Sequence, residues 1–150
     1  MAKFRYKFRV LFSLKKQFEN LAKNNFGKAV MRLELEKQEL RRIECAIAMA
    51  IDGFRAVSGG RFTAGSIKGY NAFIKKMKEN AEEQEKAVKI AEDGLEVARK
   101  ALVKAMQEKE KFKKLKEKEF ERYIEEEKRR DNLVVDEMIS YKIGSRTDGV

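Results

Sequence analysis

Downstream of Ser66, apolar residues return every seven positions for seven heptads, and this repeat constrains the fold more than any other feature. With Ile67 as position a, the a series reads Ile67, Ile74, Ala81, Val88, Leu95, Leu102 and Lys109. The d series reads Tyr70, Met77, Gln84, Ala91, Ala98, Ala105 and Phe112, so 12 of the 14 positions are apolar. Such a stripe runs down one side of a long helix and requires a second helix beside it. Successive alanines at d let the partner backbone approach closely but bury little area each, so the pairing has to be long.

Upstream, Phe26, Leu33, Leu40, Ile47 and Phe54 also recur every seven residues, with Val30, Ile43, Ile51 and Val57 beside them. Leu11, Leu14, Phe18 and Leu21 form an earlier apolar stretch one position out of step, and Asn24 and Asn25 sit at the shift, which reads as a local change of supercoil. Between the seams lies a cluster of helix breakers, Ser58-Gly59-Gly60-Arg61-Phe62-Thr63-Ala64-Gly65-Ser66. Gly59 or Gly60 suits a left-handed cap on the first helix, and Thr63 or Ser66 an N-cap on the second. There is no proline to stop either helix elsewhere.

The expected fold is all-α, with two long helices forming an antiparallel coiled-coil hairpin in a single domain over 1–150. Helix 1 is expected at about 8–58, the loop at 59–65, helix 2 at 66–142 and a tail at 143–150. A pivot near Phe62 pairs Leu33 with the neighbourhood of Ala91, and Leu11 with that of Phe112. The longer second helix then overhangs from residue 120 to 142 by roughly 30 Å at about 1.5 Å per residue. Phe120, Tyr123, Ile124, Leu133, Val134, Val135 and Met138 on it lack an intramolecular partner in this reading.

Composition removes most chemistry. With 43% apolar and 40% charged residues among 150, the chain has too little apolar material for the thick core of a compact enzyme. It has no histidine, which excludes Ser/His triads and histidine zinc ligation, and the lone Cys45 completes neither a thiolate cluster nor an internal disulfide. A reducing compartment fits. Met1 to Val10 lacks the apolar run of a secretory signal, and the longest apolar run, Cys45 to Ile51, is far short of the roughly 20 residues that span a membrane. No cofactor, metal or transmembrane segment is expected.

Other candidates reduce to structure. Gly60-Arg-Phe-Thr-Ala-Gly65-Ser66 has the outline of a phosphate loop but lacks the lysine before Ser66 and a preceding strand, so it reads as a turn. Glu82-Glu83-Gln84-Glu85 and Glu125-Glu126-Glu127 fall on solvated faces without a cleft to shift a carboxyl pKa. Cys45 flanks the seam between Ile43 and Ile47. Gly27, Gly53 and Gly94 each cost a helix about 1 kcal/mol relative to alanine and mark soft points.

The formal charge of +10 is unevenly placed. Residues 1–42 carry +8, 43–98 carry −1, 99–130 carry +5 and 131–150 carry −2. Folded back, the hairpin has a neutral looped tip and a basic open end, which suits nucleic acid, anionic lipid or an acidic protein socket. Arg5, Lys7 and Arg9 alternate with Phe4, Tyr6 and Phe8, a pattern fit either for gripping such a partner or for packing the aromatics on the overhang. Lys109 to Lys118 is a helix face with i,i+4 pairs and a net positive excess.

Phe4-Arg-Tyr-Lys-Phe-Arg-Val-Leu11, Tyr70-Asn-Ala-Phe-Ile-Lys-Lys-Met77, Lys113-Lys-Leu-Lys-Glu-Lys118 and Asp136-Glu137, in this order and in a chain of this length, resemble the FliJ family of flagellar export proteins. The resemblance implies a non-enzymatic cytoplasmic stalk at the inner-membrane face of the flagellar base, similar in shape to the rotor stalk of rotary ATPases. Implied partners are the hexameric flagellar export ATPase, the cytoplasmic domain of the export gate, and export chaperones. The family's gate-contacting stripe would fall on Phe73, Met77, Asn80 and Gln84; Met77 and Gln84 are also d positions of the seam, whereas Phe73 and Asn80 lie outside it. For the ATPase ring, Arg5, Lys7, Arg9, Lys113, Lys114, Lys116 and Arg122 are the basic residues best placed. The stalk of a virulence type III secretion system or of a rotary ATPase shares the hairpin. A basic coiled coil that binds nucleic acid is the alternative from another class, though no groove-reading module is recognisable.

Overall fold

The computed structural model describes residues 3–57, 64–147 and 149. Two helices account for nearly all of them: α1 (Arg9–Val57), 49 residues, and α2 (Ala64–Thr147), 84 residues. They form an all-α antiparallel hairpin with the longer helix second. Gly59, Gly60 and Thr63, the expected caps, lie outside the described residues, as does most of the loop-like Gly60–Ser66 segment. Ser66 falls inside the first turn of α2. At the other end α2 continues through Gly144, where the Thr147 hydroxyl donates to the carbonyls of Ile143 (3.1 Å) and Gly144 (2.8 Å), and Ser145 donates to that of Lys142 (3.1 Å). These hydroxyls occupy carbonyls that a helix end leaves without partners.

The chain divides into two compact units, Asn20–Lys104 and Met1–Glu19 with Ala105–Val150. In the first, the seven-residue seams of both helices are the less exposed positions, apart from Ile67 in the first turn of α2, which is exposed. Phe26, Leu33, Leu40, Ile47 and Phe54 are half-buried on α1, and Tyr70, Ile74, Met77, Ala81, Val88 and Leu95 on α2. Ala22, Ile43 and Ala91 are buried outright. Phe54 meets Tyr70 edge-on at 5.6 Å, and the Gln84 amide donates to both the carbonyl (3.0 Å) and the carboxylate (2.5 Å) of Glu36. Both pairs match the register of a pivot near residue 62. Among the described residues no large side chain is completely buried, as a two-layer coil dictates.

In the second unit the expected core of α1 is corrected. Leu11, Leu14 and Phe18 are exposed, as is Leu21 further along the helix, and the inward positions are Phe12, Lys15 and Glu19. Phe12 and Glu19 belong to the same heptad series as Phe26, Leu33 and Leu40, so the less exposed positions of α1 keep one register. Polar residues hold seam positions here because they are paired. Glu19, only 4% exposed, accepts from the Lys109 ammonium at 3.0 Å, and Lys15 pairs with Glu108 at 3.5 Å.

Residues 3–8 precede α1 and are not helical. Phe4 packs on Phe120 (5.1 Å) and Tyr123 (5.4 Å), Phe8 on Phe112 (6.2 Å), and the Tyr6 hydroxyl donates to the Phe112 carbonyl at 2.8 Å. Phe120 and Tyr123 therefore have intramolecular partners, contrary to the overhang reading, because the non-helical segment 3–8 carries Phe4 along α2 as far as residues 120–123. Beyond Glu127 every described residue of α2 is exposed, including Leu133, Val134, Val135, Met138 and Ile139. No helix among the described residues is long and apolar enough to cross a membrane.

Candidate docking surfaces

In the unit Met1–Glu19 with Ala105–Val150, the alternation of residues 4–9 sorts itself by side. Phe4, Tyr6 and Phe8 turn onto α2, leaving Arg5, Lys7 and Arg9 exposed. Two hollows form around this segment. One is lined by Lys3, Phe4, Arg5, Arg9 and Lys116, the other by Phe4, Phe12, Lys16, Lys113, Lys116 and Phe120 with one acid, Glu117. Their walls are aromatic and their rims cationic: Lys16 lies over the Phe12 ring at 4.4 Å and Lys116 over the same ring at 5.6 Å. Ammonium groups held over ring faces stay solvent-accessible, so they can exchange this contact for a carboxylate.

The structure thus brings Arg5, Arg9, Lys113 and Lys116 together. Lys7, Lys114 and Arg122 are exposed but line neither hollow, and the Lys7 amide donates to Glu119 at 3.5 Å. Sequence reading missed Lys16 and Lys3. The spacing of Lys16, four residues after Phe12, was the available signal, because such pairs meet on one helix face. Tyr6 anchors the arrangement, and its burial, with the Glu119 carboxylate second, pushes its phenol above the ordinary tyrosine value.

In the unit Asn20–Lys104, Phe73, Met77, Asn80 and Gln84 all line one groove between α1 and α2, opposite Glu39, Arg42, Ile43 and Ala46. Phe73 is half exposed, at 50%, while Met77 and Asn80 are recessed and Gln84 is committed to Glu36. Phe73 is therefore the member most available to a partner. Arg42 closes the far side, its guanidinium donating to Glu39 at 2.6 and 2.9 Å and holding that carboxyl below its usual range. A second, more apolar groove shares Phe73 and Ala46 and runs past Met49, Ala50, Gly53, Gly69 and Tyr70. Met49 and Gly69 were not singled out from sequence, and Gly53 only as a soft point; the register pairing Phe54 with Tyr70 is what brings them beside Phe73.

Among the described residues no group of three carboxylates or thiols could hold a metal, and Cys45 is exposed.

Among solved structures the chain is similar to a YscO homolog, CT670, from Chlamydia trachomatis, with a TM-score of 0.69 and 24% identity covering 99% of this chain and 100% of that one, a likeness of fold. No curated protein matches it. A family model described as the flagellar FliJ protein matches residues 4–147, and on that near-complete match the chain belongs to the FliJ family.

Proposed function

We propose that the protein is a non-enzymatic, cytoplasmic stalk of the flagellar type III export apparatus, working at the inner-membrane face. It links the hexameric export ATPase to the cytoplasmic domain of the export gate, promotes assembly of the ATPase ring, and escorts export chaperones. The observation that carries the reading is chemical division within a member of the FliJ family. One unit bears the cationic hollows around Arg5, Arg9, Lys113 and Lys116, and the other bears the Phe73 groove with its internally paired charges. The basic surface fits an acidic ring pore through charge. The groove fits a partner segment through apolar contact at Phe73 and Met77, with Asn80 and Gln84 at its polar margin.

The test uses two variants of the full chain. Lys113→Glu/Lys114→Glu/Lys116→Glu should abolish stimulation of the flagellar export ATPase while leaving helical circular dichroism intact. Phe73→Ala should weaken binding to the gate's cytoplasmic domain by about tenfold, within the range of a buried aromatic anchor, and leave stimulation intact. Full stimulation by the lysine variant would overturn the ring assignment, and equal loss of both activities in Phe73→Ala would overturn the division. Stimulation of a virulence-system ATPase in place of the flagellar one would move the chain to that system.

A further inference from the structure

Six cations converge on the two hollows beside residues 4–9, and among the described residues none of the six forms an ion pair: Lys3, Arg5, Arg9 and Lys116 at the first, Lys16 and Lys113 with Lys116 at the second. Elsewhere cations are matched, Arg42 with Glu39, Arg99 with Glu96, Arg41 with Glu34 and Lys109 with Glu19. The acid at the second hollow is Glu117, and no acid lines the first.

Like charges repel, so such a cluster persists only where the backbone is held for another reason. Here the rings hold it. Phe4 is seated on Phe120 and Tyr123, Phe8 on Phe112, and the buried Tyr6 donates to the Phe112 carbonyl. These contacts fix residues 4–8 along α2 and gather Arg5 and Arg9 around one hollow with Lys116. Lys16 and Lys116 lie 4.4 and 5.6 Å from the centre of the Phe12 ring, so their ammonium groups are no more than about 10 Å apart. A concavity whose backbone is set beforehand loses little backbone freedom when it takes a ligand.

Charge and shape choose that ligand. One carboxylate answers a single cation of the first hollow, whereas a di- or triphosphate presents oxygens to all of them, and the guanidinium groups of Arg5 and Arg9 suit phosphate through paired hydrogen bonds. The second hollow shares Phe4, Phe12 and Lys116 with the first, and Phe120 completes a wall of three rings on which a planar heterocycle can pack. These rings are turned inward, Phe12 being only 9% exposed, so they cannot enter a bilayer as the anchors of a membrane-surface site do. The hollows, about 430 and 500 Å³, are of small-ligand size. A nucleic-acid strand needs a cationic track with rings spaced along it.

We infer that the adjoining hollows form a binding site for a nucleoside di- or triphosphate, its phosphates among Lys3, Arg5, Arg9 and Lys116 and its base against Phe4, Phe12 and Phe120. The ligand covers cations proposed above to meet the ATPase ring, so a filled site and a docked ring exclude one another.

The experiment is isothermal titration calorimetry of the full chain, with no ATPase present, against ATP, tripolyphosphate and adenosine. ATP should bind at one site per chain, tripolyphosphate about tenfold more weakly for want of a base to stack, and adenosine not at all. Arg5→Gln/Arg9→Gln should weaken ATP binding by at least about tenfold, because bonds between charged partners are the strong ones. Lys75→Gln/Lys76→Gln, at exposed positions in the other unit, removes the same charge and should leave ATP binding unchanged. Arg5 and Arg9 are exposed, so their variant should melt at the parent temperature; Lys113→Gln/Lys116→Gln reaches the same hollows from α2 and decides the matter if it does not. Absence of ATP binding overturns the inference, as does equal binding by the parent and the hollow variants, or an equal loss in the Lys75/Lys76 variant, which would reduce the effect to net charge. Tripolyphosphate binding as tightly as ATP overturns the nucleotide in favour of a bare phosphate chain, and capture by phosphatidylglycerol vesicles without ATP binding overturns it in favour of lipid. Because the chain is measured alone, this site and the ATPase reading can each fail without the other.

Discussion

Two residues that interrupt the apolar repeat of α2 explain how its register is specified. Gln84 and Lys109 are its polar seam positions, and each meets a glutamate of α1, Glu36 and Glu19 respectively. A buried carboxylate is tolerable only with a cation or donors against it, so a slip of either seam would strand Glu19 without Lys109. Heptad counting finds Gln84 and Lys109 as exceptions but says nothing of their partners, since Glu19 reads as a surface residue until the chain folds. Tyr6 is a further case. Its raised phenol pKa means the folded state holds the proton more tightly than the unfolded chain, so its contribution is complete below the ordinary tyrosine value near 10 and is lost as pH rises through the higher folded value. Tyr6→Phe should cost about 1 kcal/mol at neutral pH through loss of the bond to the Phe112 carbonyl. Urea melts above pH 10 should then show parent and variant converging, and a constant gap would refute the linkage.

At the scale of the element, α2 persists for 84 residues because nothing in it forbids a helix. Its heptad face was legible in the sequence, and the facing of Phe54 and Tyr70 agrees with the expected pivot near Phe62. The first three turns of α1 were not. Leu11, Leu14 and Phe18 outweigh Lys15 and Glu19 on any hydropathy count, yet the less exposed positions from Phe12 onward keep one register, and both charges are paired. Periodicity recognises an apolar stripe without telling whether it faces the hairpin partner or solvent. The residues ahead of α1 illustrate the reverse: alternation of aromatic and basic side chains at 4–9 left two uses open, and the structure shows the packing one, with rings inward and the cations left exposed. Gly94 tests the helical economy of α2. A methyl group there would meet nothing within 4 Å, and no glycine among the described residues has a positive φ. Gly94→Ala should therefore stabilise by up to about 1 kcal/mol and raise the thermal midpoint by about 2–5 °C, read by circular dichroism. An unchanged or lower midpoint would mean that the open space is needed.

For the whole molecule, the proposed division of labour between a cationic unit and an apolar groove makes salt a discriminating variable. Charge complementarity between exposed groups weakens as the Debye length falls from about 10 Å at 0.1 M to about 3 Å at 1 M, while apolar contact does not. Raising salt over that range should weaken binding to the export ATPase steeply and binding to the gate domain little; parallel loss in both, measured by anisotropy with each purified partner, would contradict the division. The amino-acid order by itself determined the helices, the antiparallel pairing and the uneven charge, because heptad spacing, absent proline and clustered lysines act locally along a chain. Which of two competing apolar rows on α1 turns inward, and which cations share a hollow, only the tertiary structure decided. Those outcomes depend on carboxylates and rings delivered from about 90 to 110 residues away, as Glu19 is to Lys109 and Tyr6 to Phe112.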